Sequence, residues 1–256
     1  MTVAQALQFQ TGSATHVGRV RAVNEDNHLA DAARGIWLVA DGMGGHANGR
    51  LASETVVKAV ESVGAAASAP DLLARFKDRI HRANAELIDL AAGEEQDSVI
   101  GTTMAALLVF SGHYACVWSG DSRVYLVREG SITQLSKDHT EVQELLDRGA
   151  IGPAEAKLWP RRNVVTKAIG VFDEPSLDIV HGEIHPDDVF VLCSDGLTGH
   201  VEDEEILEKA SRLSPQEACD ALIALTLDRG AKDNVTVIVV SCRADDRTVS
   251  PWVRPA

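Results

Sequence analysis

A chain of 256 residues, 45% hydrophobic and 24% charged, is long enough to bury the core of one large domain. Its formal net charge of −14 disfavours binding to nucleic acid or to an anionic membrane, because both need clustered Lys and Arg. No apolar run approaches the ~18 residues of a membrane span, no secretory signal is visible, and the four cysteines lack paired spacing, so a cytoplasmic protein with free thiols is expected.

The first half of the chain predicts a strand, two helices and a group of strands. The apolar residues 36–40 form a strand-like run that ends at Asp41-Gly42. Helical periodicity covers 47–63 and again 71–91, where Pro70-Asp71 is a helix-start signal. The period then becomes that of a β-meander, with strands predicted at 102–110, 113–118, 123–128 and 131–135.

The second half returns to mixed helices and strands. A helix over 140–148 precedes an irregular segment, 149–163, which we interpret as a mobile flap beside a site. Further strands are predicted at 177–184, 189–193 and 235–241, helices at 202–211 and 215–228, and a polar tail at 243–256. Meanders with paired helices between them favour an α+β fold, a central antiparallel β-sandwich flanked by helix pairs. We expect a single domain over 1–256, with its core at about 12–242.

Aspartates recur at the ends of the predicted strands. Asp41-Gly42 and Asp195-Gly196 each follow an apolar run, Asp121 follows the strand near 118, and Asp233 precedes the last strand. Any one of them is explained as a turn residue, and for Asp121 a hairpin turn stays a serious alternative. Several uncompensated carboxylates beside a core are costly unless a divalent cation is shared among them. The pattern therefore predicts a site for Mg²⁺ or Mn²⁺, which prefer oxygen ligands.

Six short motifs follow one another along the chain. They are Arg21-x-x-Asn24-Glu25-Asp26, Asp41-Gly42-Met43-Gly44-Gly45-His46, Gly101-Thr102-Thr103, Gly120-Asp121-Ser122-Arg123, Ser194-Asp195-Gly196 and Asp233-Asn234-Val235-Thr236. In type and order the set resembles the metal-dependent protein phosphatases of the protein phosphatase 2C type, in their compact bacterial form. The resemblance runs from about Gly12 to Cys242.

The resemblance implies a metal centre in a cleft at one end of the sandwich. Two Mn²⁺ or Mg²⁺ ions would bind there, with a weaker third. Asp41 would bridge the two ions, Gly42 would contribute its carbonyl, and Asp195 and Asp233 would complete the ligands of the second ion. The third ion would be held by Asp121 together with Asp195.

The resemblance also implies hydrolysis of phosphoserine and phosphothreonine in proteins by a metal-activated water. Arg21 would hold the substrate phosphate and Asp26 would orient the attacking water. The implied partners are phosphorylated proteins, including a bacterial Ser/Thr kinase that the enzyme opposes, and the implied state is a monomer. A catalytically inactive binding module conflicts with the presence of every expected carboxylate. A hydrolase of small phosphoesters shares the same metal centre and differs only in its substrates.

Two positions depart from the family pattern. Animal members carry a His directly after the Asp-Gly as a proposed general acid, and here that position is Met43. Relatives often carry His-Pro-x-Arg in the flap, where this chain has Trp159-Pro160-Arg161-Arg162-Asn163. Arg162 is predicted to contact substrate, with a solvated loop charge as the alternative. Trp159 is either an anchor for the flap or a contact to residues that flank the phosphate.

Overall fold

The computed structural model describes residues 7–44, 47–93 and 99–244, which form two β-sheets covered by helices. The strands are β1 Leu7–His16, β2 Asp26–Asp31, β3 Ile36–Met43, β4 Gly101–Thr102, β5 Met104–Phe110, β6 His113–Ser119, β7 Arg123–Arg128, β8 Ser131–Gln134, β9 Asp178–Glu183, β10 Val189–Cys193 and β11 Val235–Ala244. The helices are α1 Ala47–Glu61, α2 Ala69–Ala92, α3 Glu141–Asp147, α4 Pro153–Lys157, α5 Asp195–Thr198, α6 Asp203–Arg212 and α7 Pro215–Asp228.

The two sheets pack face to face, and helices cover both outer faces. One sheet has the order β1-β11-β10-β7-β8, and the other has the order β2-β3-β5-β6-β9 with β4 paired to β3. Trp37 and Phe190 lie in the apolar layer between the sheets. Phe76 and Ile80 of α2 pack on one sheet, and Leu222 of α7 packs on the other. The expected antiparallel sandwich flanked by helix pairs is confirmed.

Strand β3 shows why its sequence is apolar without alternation. Residues 36–40 are all fully buried, with Trp37 facing the inner layer and Leu38 facing the helices. A strand covered on both faces has no solvent side on which to place polar residues. The strand can therefore carry a charge only where the cover ends, and Asp41 lies at that point.

The predicted meander over 102–135 is wrong in one respect, because its strands belong to different sheets. β5 pairs with β6 in one sheet and β7 pairs with β8 in the other. The chain crosses between the sheets at Gly120 and Asp121, because β6 before them and β7 after them belong to different sheets. Trp118 of β6 and Val124 of β7 both point into the layer between the sheets. Gly120 has a φ of +111°, and a Cβ there would lie 2.5 Å from the Thr103 side chain. Asp121 is thus a crossing residue and not the turn of a hairpin.

Smaller differences concern the ends of elements. Strand β1, which pairs along its length with β11, is not among the predicted elements, because its alternation of apolar and polar residues is limited to Leu7–Gln10. Helix α2 begins at Ala69 because the Ser68 hydroxyl accepts a hydrogen bond from the Asp71 N–H at 3.2 Å. The expected irregular segment contains the short helix α4, and tail residues 245–256 lie outside the described residues. All four cysteines are buried and free, as expected. Within the described ranges, no helix has the length and apolar content of a bilayer span.

Candidate active site

The predicted aspartates meet in a cleft of about 340 Å³ at one end of the sandwich. Asp41 reaches it from the end of β3, Asp195 from the start of α5, Asp233 from the residue two before β11, and Asp121 from the crossing between sheets. The lining residues are Arg21, Glu25, Asp41, Gly42, Met43, Gly44, Thr103, Asp121, Asn163, Val165, Asp195, Asp233 and Asn234. Both sheets therefore contribute carboxylates to one site.

Each Asp-Gly pair needs its glycine for space. A Cβ on Gly42 would overlap the backbone carbonyl of Gly49 in α1, and a Cβ on Gly196 would overlap the carbonyl of Asn234. Neither glycine has the positive φ that a turn would demand. The bare backbone instead lets α1 approach Asp41 and lets α5 lie against the residues beside Asp233.

Asp26 lies behind the cleft lining, directly across the β2–β3 ladder from Asp41. Its Oδ2 accepts hydrogen bonds from Ser194 Oγ at 2.8 Å and from Thr236 Oγ1 at 2.7 Å. Its Oδ1 is buried and has no hydrogen-bond partner among the described residues. Burial is the largest cause that raises the pKa of Asp26 to about 7, and the two hydroxyl groups only partly oppose it.

The carboxylates of the cleft raise one another's pKa values. Burial, followed by repulsion from Asp26 and Asp195, raises the pKa of Asp41 well above its usual range. Burial and then the charge of Asp195 raise the pKa of Asp121 to about 8. Burial and the charge of Asp233 raise the pKa of Asp195, which a hydrogen bond with Asp41 opposes. Acids crowded in this way favour either protonation or a shared cation.

The donor set fits a hard divalent ion. The cleft is lined by carboxylates and backbone oxygens, with no His or Cys among its described lining residues, which suits Mg²⁺ or Mn²⁺ and not zinc. In the described part of the chain no three acidic, His or Cys side chains form a ready-made shell around one point. Mg²⁺-type sites commonly use one or two carboxylates and keep several waters, so a sparse protein shell is compatible with them.

Arg21 lies at the rim of the cleft on the loop between β1 and β2. Its Nη2 donates to Asp233 Oδ2 at 2.8 Å, and this hydrogen bond is the largest cause that raises the pKa of Arg21. Asn234 holds that loop, since its Nδ2 donates to the carbonyls of Val17 at 2.8 Å and Val23 at 3.0 Å. Its Oδ1 accepts from the Glu25 N–H at 2.8 Å. Asn234 belongs to one of the six motifs, but this role was not predicted, because its one signal in the sequence was an amide next to Asp233.

Flap residues divide between the cleft and the solvent. Asn163, the last residue of the flap, lines the cleft, as does Val165 just after the flap. Arg162 does not: it is exposed, and its Nη1 donates to the Lys157 carbonyl within the flap at 3.0 Å. Trp159 is half-buried outside the lining, with its Nε1 enclosed. The structure thus places Met43 and Asn163, but neither Arg162 nor Trp159, at the site.

Comparison with known proteins gives a consistent set of relatives. Residues 15–234 match the family described as Protein phosphatase 2C. Serine/threonine protein phosphatase PstP of Mycobacterium tuberculosis is 40% identical over 223 residues, which cover 87% of this chain and 43% of that protein. This chain therefore spans less than half the length of that relative. Serine/threonine phosphatase stp of Listeria monocytogenes is 35% identical over 236 residues, covering 88% of this chain and 93% of that protein.

A solved structure extends the likeness to the backbone. The catalytic domain of PstP, crystallised in complex with two manganese ions, is similar with a TM-score of 0.83 and 36% sequence identity. The similarity covers 93% of this chain and 100% of that domain.

Proposed function

The chain belongs to the protein phosphatase 2C family, and from that premise we propose that it is a metal-dependent phosphatase of phosphoserine and phosphothreonine in proteins. One observation carries the proposal. Carboxylates from both sheets converge on a single cleft, where burial and repulsion from neighbouring acids raise the pKa values of Asp41 and Asp121. A site of that kind is unfavourable for an empty protein and suited to a dinuclear cation centre.

Each cleft residue receives a role that its position supports. Asp41 would bridge two Mn²⁺ or Mg²⁺ ions beside the Gly42 carbonyl, and Asp195 and Asp233 would complete the second ion's ligands. Asp121, with Asp195, would hold a weaker third. When bound, the ions would supply a nucleophilic water of lowered pKa and neutralise charge on the phosphate. The two manganese ions in the PstP catalytic domain support a dinuclear centre in this chain.

Arg21 and Asp26 would act on the substrate and the water. Arg21 is about half exposed at the rim, so its guanidinium can exchange Asp233 for the phosphate oxygens with little rearrangement. Asp26 would hold the attacking water's proton through its Oδ1, the carboxylate atom that has no hydrogen-bond partner in the described part of the chain. Arg162 would reach a substrate only after leaving the Lys157 carbonyl, so we assign it at most a contact with a longer peptide.

The remaining expectations belong to the same proposal. We infer one catalytic domain over residues 1–256 that works as a cytoplasmic monomer on phosphorylated proteins, among them a Ser/Thr kinase. The net charge of −14 would favour substrates whose flanking residues are basic over acidic ones.

The test is turnover of a phosphothreonine peptide and of p-nitrophenyl phosphate by the metal-stripped chain. We expect no activity in EDTA, activity on both substrates after addition of Mn²⁺, and a higher kcat/KM on the peptide. Full activity after exhaustive chelation would contradict the metal centre. Turnover of small phosphoesters with none on phosphopeptides or phosphoproteins would contradict the protein substrate.

A further inference from the structure

His139 joins three parts of the molecule that the proposed mechanism treats separately. It lies between β8 and α3 and is 7% exposed. Its side chain and its backbone both form hydrogen bonds with Gly120, the residue before Asp121. The Gly120 N–H donates to His139 Nδ1 at 3.1 Å, and the His139 N–H donates to the Gly120 carbonyl at 2.9 Å. Gly120 lies where the chain crosses between the sheets, so this two-bond clamp fixes the point from which the Asp121 carboxylate extends.

The surroundings of the imidazole keep Nδ1 available as an acceptor. Because Nδ1 accepts from Gly120, the hydrogen-bond network assigns the proton to Nε2, which lies 3.1 Å from Asp178 Oδ2 of β9. Lys167 Nζ lies 3.3 Å from His139 Nε2 and 3.4 Å from Asp178 Oδ1, and with the proton on Nε2 it donates to Asp178 and not to the ring. The ring stacks on Trp118 at a centroid distance of 6.0 Å. Burial is the largest cause that lowers the pKa of His139, which favours the neutral ring.

His139 also closes the base of the flap. Its carbonyl accepts a hydrogen bond from the Thr166 N–H at 2.8 Å, and Thr166 lies in the segment that follows the flap. One residue further on, Thr140 and Val165 form an isolated bridge, and the Glu141 N–H donates to the Val164 carbonyl at 2.9 Å. Val165 itself lines the cleft. The flap and the Asp121 crossing are therefore held by the same residue.

We propose that His139 is a positioning residue that couples the flap to the Asp121 carboxylate, so that binding of the weakest cation at Asp121 and closure of the flap base stabilise each other. This inference rests on the proposed metal centre and adds the residue that links it to the flap. Coupling of this kind is reciprocal: the factor by which closure of the flap base tightens ion binding equals the factor by which the bound ion favours closure.

Two substitutions separate the clamp from mere packing. His139→Asn places an amide oxygen at the position of Nδ1, so the Gly120 N–H keeps its acceptor. His139→Gln places the amide near the position of Nε2, so the Gly120 N–H loses its acceptor. Both remove the ring from Trp118. In calorimetric titration of the full chain with Mn²⁺, His139→Gln should weaken the weakest binding step about tenfold, and His139→Asn by less than about threefold. His181→Asn, an exposed histidine of β9, is the matched control and should change nothing.

Tryptic cleavage of the flap after Lys157, Arg161 or Arg162 supplies a second readout. Saturating Mn²⁺ should slow this cleavage in the wild type and in His139→Asn, but not in His139→Gln or Asp121→Asn. Equal losses in the two His139 variants, or equal weakening of every Mn²⁺ step, would overturn the inference and leave the proposed function intact. A wild-type chain that binds no Mn²⁺ would overturn both. If a melting curve shows that His139→Gln is unfolded, the Asp121→Asn variant still tests the coupling. Slower tryptic cleavage of its flap in Mn²⁺ would overturn the inference.

Discussion

The two ends of strand β10 bury carboxylates in opposite ways. Asp188, just before the strand, has a 1% exposed side chain, and Arg128 donates to both of its oxygens at 2.7 Å. The His185 N–H adds a third hydrogen bond at 2.7 Å. Asp195, two residues after the strand, instead faces other acids, and burial together with the charge of Asp233 raises its pKa. At one end of the strand, Arg128 compensates the charge of Asp188. At the other end, the pKa of Asp195 stays raised, because the nearby cations do not offset its burial and the charge of Asp233.

The difference separates a structural carboxylate from a functional one. A buried acid with a bidentate Arg and a backbone donor is compensated within the fold, so removing it exposes a defect. A cluster of buried acids without such partners weakens the fold until an outside cation binds, which is the usual relation between stability and an active site. Substitutions at the two ends should therefore have opposite signatures in stability and in turnover.

The largest effect is expected for Asp195→Asn at the cleft end. Changes around a metal's ligands commonly cost about 10–100-fold, and loss of a ligand shared by two ions should cost more than that in kcat at saturating Mn²⁺. The same substitution removes one charge from a repelling cluster, so the melting temperature in EDTA should rise. Wild-type turnover, or a fall in the metal-free melting temperature, would contradict the contrast between the two ends.

Asp188→Asn should show the reverse behaviour. Removing the charge from a buried, bidentate ion pair is expected to lower the free energy of unfolding by about 3 kcal/mol. Turnover at a temperature where the variant is folded should stay close to wild type, because Asp188 lies at the other end of β10. The matched control is Asp187→Asn, whose φ of +69° is one that Asn tolerates. Denaturant titration measures both variants, and equal stabilities would contradict the role of the Arg128 pair.

The pH dependence of the metal-free protein should report the acidic cluster. Asp26 has an ordinary pKa of 3.8 that the fold raises to about 7, and Asp121 is raised to about 8. Between the ordinary pKa of 3.8 and the raised values, these carboxyl groups hold more protons in the folded state than in the unfolded state. The stability of the folded state should therefore fall as the pH rises from about 4 to about 8. Saturating Mn²⁺ should flatten the dependence, because bound carboxylates stay ionised. Urea unfolding at several pH values, with EDTA or with Mn²⁺, checks this; a metal-free stability that rises over the window would contradict it.

The smallest effect is expected for Arg21→Ala, at the rim between substrate and metal. Loss of a charge-assisted hydrogen bond to phosphate should raise KM about tenfold while the Mn²⁺ titration is unchanged, since a guanidinium cannot ligate a cation. Arg19→Ala is the control, because its Nε donates to the Leu227 carbonyl and its loop is the same. Loss of Mn²⁺ binding in Arg21→Ala alone would mean that Arg21 supports the metal site and not the phosphate.

The sequence by itself determined which side chains carry the candidate chemistry. Asp41 and Asp195 are each preceded by an apolar run with no room for charge, and that local pattern marks a strand tip without knowledge of the fold. The helix starts near Pro70 and at Pro215 are likewise written in neighbouring residues, because capping acts over three or four positions. The strand-end aspartates already predicted a metal site, and the family resemblance added the number of ions and the role of each ligand.

Only the tertiary structure decided how those side chains are held. The crossing at Asp121, mistaken for part of a meander, depends on which sheet β7 joins, and strand periodicity is the same in either sheet. Three further contacts join groups that are far apart in the chain. They are the hydrogen bonds of Asn234 to the carbonyls of Val17 and Val23, the hydrogen bond of His139 with Gly120, and the ion pair of Arg128 with Asp188. A polar residue's hydrogen-bond partner is set by where the backbone brings its donors and acceptors together, and no local pattern encodes that meeting.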